Sequence, residues 1–387
     1  MDQSHTETIN LLRSTVAQIC RSYPNTYWRE KDREREYPGE FVQALTDAGL
    51  LASLIPEEYG GSGLPLRVAI EILKAIHEFG GNAAACHAQM YTMGTLLRHG
   101  SETQKRTYLP LIASGEKRLQ AFGVTEPTAG SDTLNISTTA TRDGDNYIVD
   151  GQKVWISRAE HSDLMILLAR TTPLSQVQKR SEGLSVFIVN IEDAKQKGLT
   201  IRPIRTMINH ATTELFFESV PVPAKNLIGE EGKGFQYILS GMNAERILIA
   251  AECIGDAHWF INTASNYANE REVFGKPIGT NQGVQFPIAR AYAQTKAAEL
   301  MVQQAADMFD ENKDCGAEAN MAKLLSSEAS WYAADTCLQT HGGFGMSEEY
   351  DVERKFRETR LYQIAPISTN LILAYLGSHV LGLPKSY

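Results

Sequence analysis

Cysteine is scarce in this chain: five in 387 residues, Cys20, Cys86, Cys253, Cys315 and Cys337, an odd number with no closely spaced pair. A disulfide framework is thereby excluded, and buried thiols in a reducing compartment are expected. Positive charge is also short, with 37 Lys and Arg against 46 Asp and Glu and a formal net charge of -9. No basic stripe marks a nucleic-acid partner. No apolar run approaches the roughly 18 residues of a membrane-spanning helix. The opening MDQSHTETINLLRSTVAQIC lacks the basic patch and apolar core of a secretory leader. Metal-ligand spacings such as His-Glu-x-x-His are missing as well. The expectation is a cytoplasmic protein without membrane insertion, nucleic-acid partner or metal.

What is there begins with 43% hydrophobic residues, enough for more than one core in a chain of this length. Over residues 5–118 the pattern is helical, with Phe41, Leu45 and the run 50–54 after Pro38, and Ile70, Ile72, Leu73 and Ile76 at short helical steps. PEEYGGSG at 56–63 punctuates it, and Gly60 and Gly61 read as turn residues. After residue 120, DGDNYIVDGQKVWI at 143–156 shows two Asp-Gly turn signals around β-branched and aromatic runs. Strand character continues at 164–169, 184–189 and 214–222, with the charged insert 176–182 as a solvated loop. Past GEEGKGF at 229–235, helical periodicity returns. The fold class predicted is α+β: an N-terminal α-helical domain over 1–119, a β-barrel or sandwich domain over 120–228, and a C-terminal four-helix bundle over 229–387.

Four stretches could carry chemistry. Residues 122–132, FGVTEPTAGSD, crowd hydroxyls and small residues into a loop whose short donors suit phosphate or flavin edges. Thr125, Ser131 and Asp132 also read as ordinary capping and turn residues. In KVWIS, 153–157, Trp155 and Ser157 share a strand, where a core Trp with a strand Ser is the plain alternative. EREVFGKPIGTNQ, 270–282, offers the Arg271 fork, which fits phosphate or is simply a solvated helix charge. QTHGGFG, 339–345, is glycine-rich but follows the helical stretch 317–338, so it is no dinucleotide fingerprint, which needs a preceding strand.

These stretches, and the order helix domain, β domain, helix bundle, resemble the acyl-CoA dehydrogenase family across essentially the whole chain. The resemblance implies FAD as cofactor and α,β-dehydrogenation of an acyl-CoA thioester to the 2-enoyl-CoA. It further implies an electron-transfer flavoprotein as acceptor and a homotetramer. Phe122, Val124 and Thr125 would contact the flavin and Ser131 the acyl-CoA, while Trp155 would pack by the isoalloxazine and Ser157 bond near its N5. Arg271, Phe274 and Gln282 would grip the FAD of a neighbouring subunit. Gln339, Gly342 and Gly343 would let backbone approach a cofactor held across a dimer, and Ser368 and Asn370 would touch FAD.

One family position is altered. Most relatives carry the catalytic Glu in a Tyr-Glu-Gly-Thr segment near the C-terminus, whereas 360–370 here reads RLYQIAPISTN, with Pro366 in the Glu position. Proline neither accepts a proton nor offers an N–H to a thioester oxygen. Either a nearby N–H such as that of Ile367 substitutes, or the enzyme tolerates or needs a weaker oxyanion site. Glu245 lies on an apolar helical stripe with Phe235, Ile238, Leu239, Met242 and Ile249, where burial would favour a proton acceptor. Its plain reading is a helix-edge Glu paired with Arg246 or another cation. The long-chain and isovaleryl-CoA branches place their base at the Glu of a Glu-Arg pair on this helix, so the resemblance makes Glu245 the base, with Arg246 orienting it or the acyl-CoA. The altered loop leaves two rivals: a member with desulfinase- or monooxygenase-like chemistry, and a non-catalytic flavin or acyl-CoA binding protein. His161 and His210 could face the site or be ordinary surface or core residues.

Overall fold

In the computed structural model, which describes residues 3–385, the chain divides into two compact units. One comprises the chain up to Glu34, Pro65–Ala83 and everything from Asn243 onward; the other comprises Arg35–Leu64 and Ala84–Met242. The helices in chain order are α1 (Gln3–Ser22), α2 (Asn25–Glu34), α3 (Gly39–Asp47), α4 (Leu66–Glu78), α5 (His87–His99) and α6 (Glu102–Ala113). They continue with α7 (Ile191–Lys195), α8 (Gly234–Glu270), α9 (Gln282–Asp310), α10 (Gly316–His341), α11 (Val352–Arg360) and α12 (Thr369–Tyr375). No helix among the described residues is long and apolar enough to cross a membrane. None of the five cysteines forms a disulfide, and all are buried.

The second unit holds the sheet. Its strands are β1 (Leu119–Gly123), β2 (Thr139–Asp143), β3 (Asn146–Ser157), β4 (Leu164–Arg170), β5 (Leu184–Asn190), β6 (Leu199–Pro203), β7 (Thr212–Pro223) and β8 (Leu227–Ile228). They form one mixed sheet in the order β6-β7-β3-β2-β4-β5-β8, with β1 parallel beside β4. β4, LMILLAR, is buried from end to end, which explains its uninterrupted apolar run. Tyr147, Val149, Ile156, Phe187, Leu215 and Phe217 pack a common core.

The two Asp-Gly pairs part company. Asp143-Gly144 makes the β2–β3 turn with Gly144 at φ +55°. Asp150-Gly151 is no turn: it lies within β3 as a register shift against β7. Gly151 sits at φ +147°, and a Cβ there would come within 2.5 Å of Thr138 Oγ1. Asp150 Oδ1 instead accepts the Ser219 N–H at 2.7 Å, so the dipeptide serves as a bulge. The Gly60-Gly61 turn holds, since a Cβ on Gly61 would lie 2.0 Å from the Ile55 carbonyl oxygen.

In the first unit, α8 is surrounded. Ile247, Leu248, Ala250, Ala251, Ile254, Ala257 and Phe260 are all buried, the signature of a helix covered on every side. Gly255 permits α4 to approach, because a Cβ would meet the Lys74 carbonyl oxygen at 2.2 Å. Buried polar groups fix the same helix: His77 Nδ1 lies 2.9 Å from Asp256 Oδ1, Lys355 bonds Asp256, and the Tyr362 hydroxyl donates to Glu252 at 2.8 Å. The apolar stripe expected near Glu245 is narrower than its spacing suggests. Ile238 and Ile249 are buried, but Leu239 is 42% exposed.

Candidate functional site

In the sheet unit, the loop after β1 is stitched to β3 by a buried ion pair. Lys153 Nζ lies 2.9 Å from Glu126 Oε1 and donates to the Val124 carbonyl at 3.0 Å. Glu126 also accepts the Ser137 N–H and hydroxyl at 2.6 and 2.9 Å and the Thr138 N–H at 2.9 Å. Burial pushes the Glu126 carboxyl upward, but Lys153, Ser137 and Thr138 outweigh it and hold it at about 2. Both residues sit inside the motifs, yet sequence reading gave neither a role. The signal was a lone Lys on a half-apolar strand.

The stitching leaves the chemistry-bearing groups open. The Val154 N–H bonds the Thr125 carbonyl at 2.9 Å, which puts the loop beside the strand that carries Trp155. Trp155 is 59% exposed while Val154 and Ile156 are buried, so it is not a core Trp. It adopts φ +61°, and Arg158 follows at φ +59°; such backbone costs on the order of 1–3 kcal/mol and collects at functional sites. The Thr125 and Ser157 side chains make no hydrogen bond within the described residues. Phe122 is half-buried on β1, Ser131 is exposed, and Asp132 pairs with Arg180 at 3.0 Å. An exposed indole face flanked by two unengaged hydroxyls fits the edge of a flavin ring.

In the other unit, Glu245 is 5% exposed in mid-α8. Its chain neighbour Arg246 is half-buried. Its guanidinium donates to Asn243 Oδ1 at 3.1 Å, and its Nε is buried without a partner. Burial lowers the Arg246 pKa, with Glu245, Tyr375 and Cys315 opposing.

The segment bearing Pro366 is tied to α10. Lys323 Nζ, fully buried, donates to the Ile367 carbonyl at 2.7 Å. Burial brings this ammonium down to about 8, with Cys253 opposing and Arg246 adding to the fall. Ile367 is buried, and its N–H makes no hydrogen bond within the described residues. Ser368 caps α12 by accepting the Leu371 N–H at 3.3 Å, and Asn370 is exposed beside it. Lys323 escaped the sequence reading because its partner lies 44 residues away.

Two further motifs meet in this unit. The Arg271 guanidinium carbon stands 5.7 Å from the Phe344 ring centroid, and Tyr267 stacks on His341 at 4.1 Å. A Cβ on Gly342 or Gly343 would touch nothing within 4 Å, so backbone there is open to close approach. Gln339 and Gln282 are exposed, the latter opening α9. Phe274 is 99% exposed at the tip between β9 (Glu272–Val273) and β10 (Lys276–Pro277). An arginine fork beside open glycines suits a phosphate.

Three family models match in succession: acyl-CoA dehydrogenase N-terminal domain over 6–116, middle domain over 121–220 and C-terminal domain over 232–369. An acyl-CoA dehydrogenase of Bacillus subtilis (strain 168) is 34% identical, covering 96% of this chain and 97% of the relative. Among solved structures, butyryl-CoA dehydrogenase from Megasphaera elsdenii superposes with TM-score 0.91 at 29% identity, covering 98% of this chain and 100% of that one. A chain of the electron transferring flavoprotein structure from Acidaminococcus fermentans gives TM-score 0.91 at 30% identity, covering 98% and 100%. Thr125, Trp155, Glu245 and Arg271 all lie within the matched stretches, and the chain belongs to the acyl-CoA dehydrogenase family, whose members are FAD-dependent oxidoreductases.

Proposed function

We propose that the chain converts an acyl-CoA thioester to its 2-enoyl-CoA, with Glu245 as the base that takes the proton from the carbon next to the thioester. The observation that carries this reading is a carboxylate buried in α8, in a chain whose alternative position holds Pro366. When bound, FAD supplies the acceptor for the hydride that leaves the adjacent carbon. Thr125 and Ser157 offer hydroxyls to the flavin edge, and Trp155 packs against its ring. Ser131 contacts the acyl-CoA, and Arg246 orients either the thioester or the base. Because Pro366 has no N–H, the unengaged N–H of Ile367 is the donor we assign to the thioester oxygen, with Lys323 fixing that segment through the Ile367 carbonyl. Electrons then pass to an electron-transfer flavoprotein. Mixing the flavin-loaded protein anaerobically with a series of acyl-CoA thioesters tests the reading: bleaching of the flavin with at least one is expected, and no bleaching with any would remove it.

The open face around Arg271 and Gly342 is proposed to hold the FAD diphosphate and adenine of a neighbouring subunit in a homotetramer, with Phe274, Gln282, Gln339 and Gly343. Arg271→Ala is expected to lower the flavin-to-protein ratio after gel filtration. A fully flavinated variant would contradict the diphosphate contact.

Lys323 gives a pH test. In the window from about 8 up to its ordinary value, the folded chain has released a proton that the unfolded chain still holds, so this group makes stability rise with pH. The charge-assisted bond to Ile367, a class of contact that contributes about 1.5–3 kcal/mol, weakens in the same window. Turnover is therefore expected to fall above about pH 8 while thermal stability does not. Lys323→Met should lose that alkaline limb, and a limb unchanged in the variant would show that another group sets it.

A further inference from the structure

Directly after Ser157, at the end of β3, stands a charge that the fold leaves uncompensated. Arg158 is 2% exposed and held at φ +59°. Its backbone N–H donates to the Ala211 carbonyl at 2.7 Å, and Ala211 is itself at φ +46°. One guanidinium nitrogen donates to the Ala84 carbonyl and lies 3.4 Å from His210 Nε2, and the other lies 3.4 Å from His87 Nε2. The third, Nε, is buried with no partner. Among the described residues no carboxylate stands within ion-pairing distance of this side chain.

A buried cation is normally matched by a carboxylate, because solvation by neutral dipoles alone is costly. Around Arg158 the titratable groups shift the opposite way. Burial pushes His161 and His210 down, with Arg158 adding to the fall at both and Glu160 opposing it at His161. Burial pushes the Tyr37 phenol up to about 12, so it too is uncharged. The start of α5 at His87 adds the partial positive charge of a helix N-terminus. Three strained non-glycine residues, Trp155, Arg158 and Ala211, hold this arrangement in place.

We infer that Arg158 is an electrostatic positioning residue for the flavin: its counter-charge is the negative charge that the ring system acquires on reduction. The inference rests on the reading that Thr125, Trp155 and Ser157 border the flavin. It goes further in assigning the redox poise to a residue outside that contact set. In the reaction, the substrate loses a proton to Glu245 and a hydride to the flavin, so one electron pair and its charge arrive on the ring system. A fixed cation in a low-dielectric surround favours that product and is aligned before the reaction begins.

The test compares Arg158→Met, which removes the charge, with Arg158→Lys, which keeps the charge and loses the fork. The flavin midpoint potential is measured by equilibration with a reference dye, and thermal unfolding is followed for the same proteins without FAD. Both variants are expected to lose apo stability, since each gives up the contact with Ala84. Only Arg158→Met is expected to make the flavin harder to reduce, by at least tenfold in the reduction equilibrium, about 30 mV more negative for a two-electron couple. An unchanged potential in Arg158→Met overturns the inference. So does an equal shift in Arg158→Lys, which would trace the effect to packing. If Arg158→Met fails to fold, Arg158→Gln, neutral but able to donate to Ala84, makes the same comparison. Wild-type protein that takes up no FAD would defeat the underlying functional reading; normal flavin uptake with an unmoved potential defeats the present inference alone.

Discussion

Glu245→Gln is expected to slow reductive bleaching of the flavin by an acyl-CoA by about 10²–10⁴-fold, the range that a positioned general base contributes. Gln keeps the length, planarity and burial of the side chain, so packing around α8 should persist, but an amide cannot take the α-proton. No rescue can come from the position that serves most relatives, because Pro366 has nothing to protonate. The same variant separates catalysis from structure. Gln keeps the volume and reach of the side chain, so the variant should melt near the wild-type temperature and retain its FAD. A structural acid would behave the other way, with a lower melting temperature and near-normal bleaching. Stopped-flow absorbance under anaerobic conditions, paired with a melting curve, distinguishes the two. Wild-type bleaching in the Gln variant would take Glu245 out of the mechanism.

Much of the architecture was legible because it is written locally. Ile70, Ile72, Leu73 and Ile76 recur at helical steps and are all buried on α4, and the uninterrupted apolar run at 164–169 became the buried strand β4. Local chemistry also misled. Asp150-Gly151 has the residues of a hairpin turn, but the bonds from Ser219 and the close pass of Thr138 make it a bulge within β3. Trp155 could not be told from a core Trp by its strand, because exposure depends on what packs over the strand. The supports of the candidate site were the least visible. Glu126 meets Lys153 across 27 residues, Lys323 meets Ile367 across 44, and Arg158 meets His87 across 71, distances over which no periodicity carries information. What sequence marks is the group that faces a ligand; what holds that group is decided by tertiary packing.

Glu126→Gln is expected to destabilise the protein by roughly 3–5 kcal/mol, the cost of breaking a buried ion pair from one side. The damage comes from what is left behind: Lys153 is fully buried, and without the carboxylate its ammonium has only neutral acceptors, the Gln amide oxygen and the Val124 carbonyl at 3.0 Å. Replacing both residues, as Glu126→Gln with Lys153→Met, should therefore cost less than Glu126→Gln alone, the reverse of what additive losses give. Acid titration adds a second signature. With the folded carboxyl held near 2, this group's contribution is complete above the ordinary carboxylate value and fades as pH falls toward 2. That contribution is on the order of 3 kcal/mol. Wild-type stability should thus decline through this acidic window and the Gln variant should decline less. Because the pair anchors the Val124–Thr125 backbone, the single variant should also release FAD faster, and added FAD should restore part of its melting temperature by mass action. Denaturant unfolding at pH 7 and pH 4, with and without excess FAD, checks each step. A Gln variant as stable as wild type at pH 7 would mean that the ion pair does not anchor this loop.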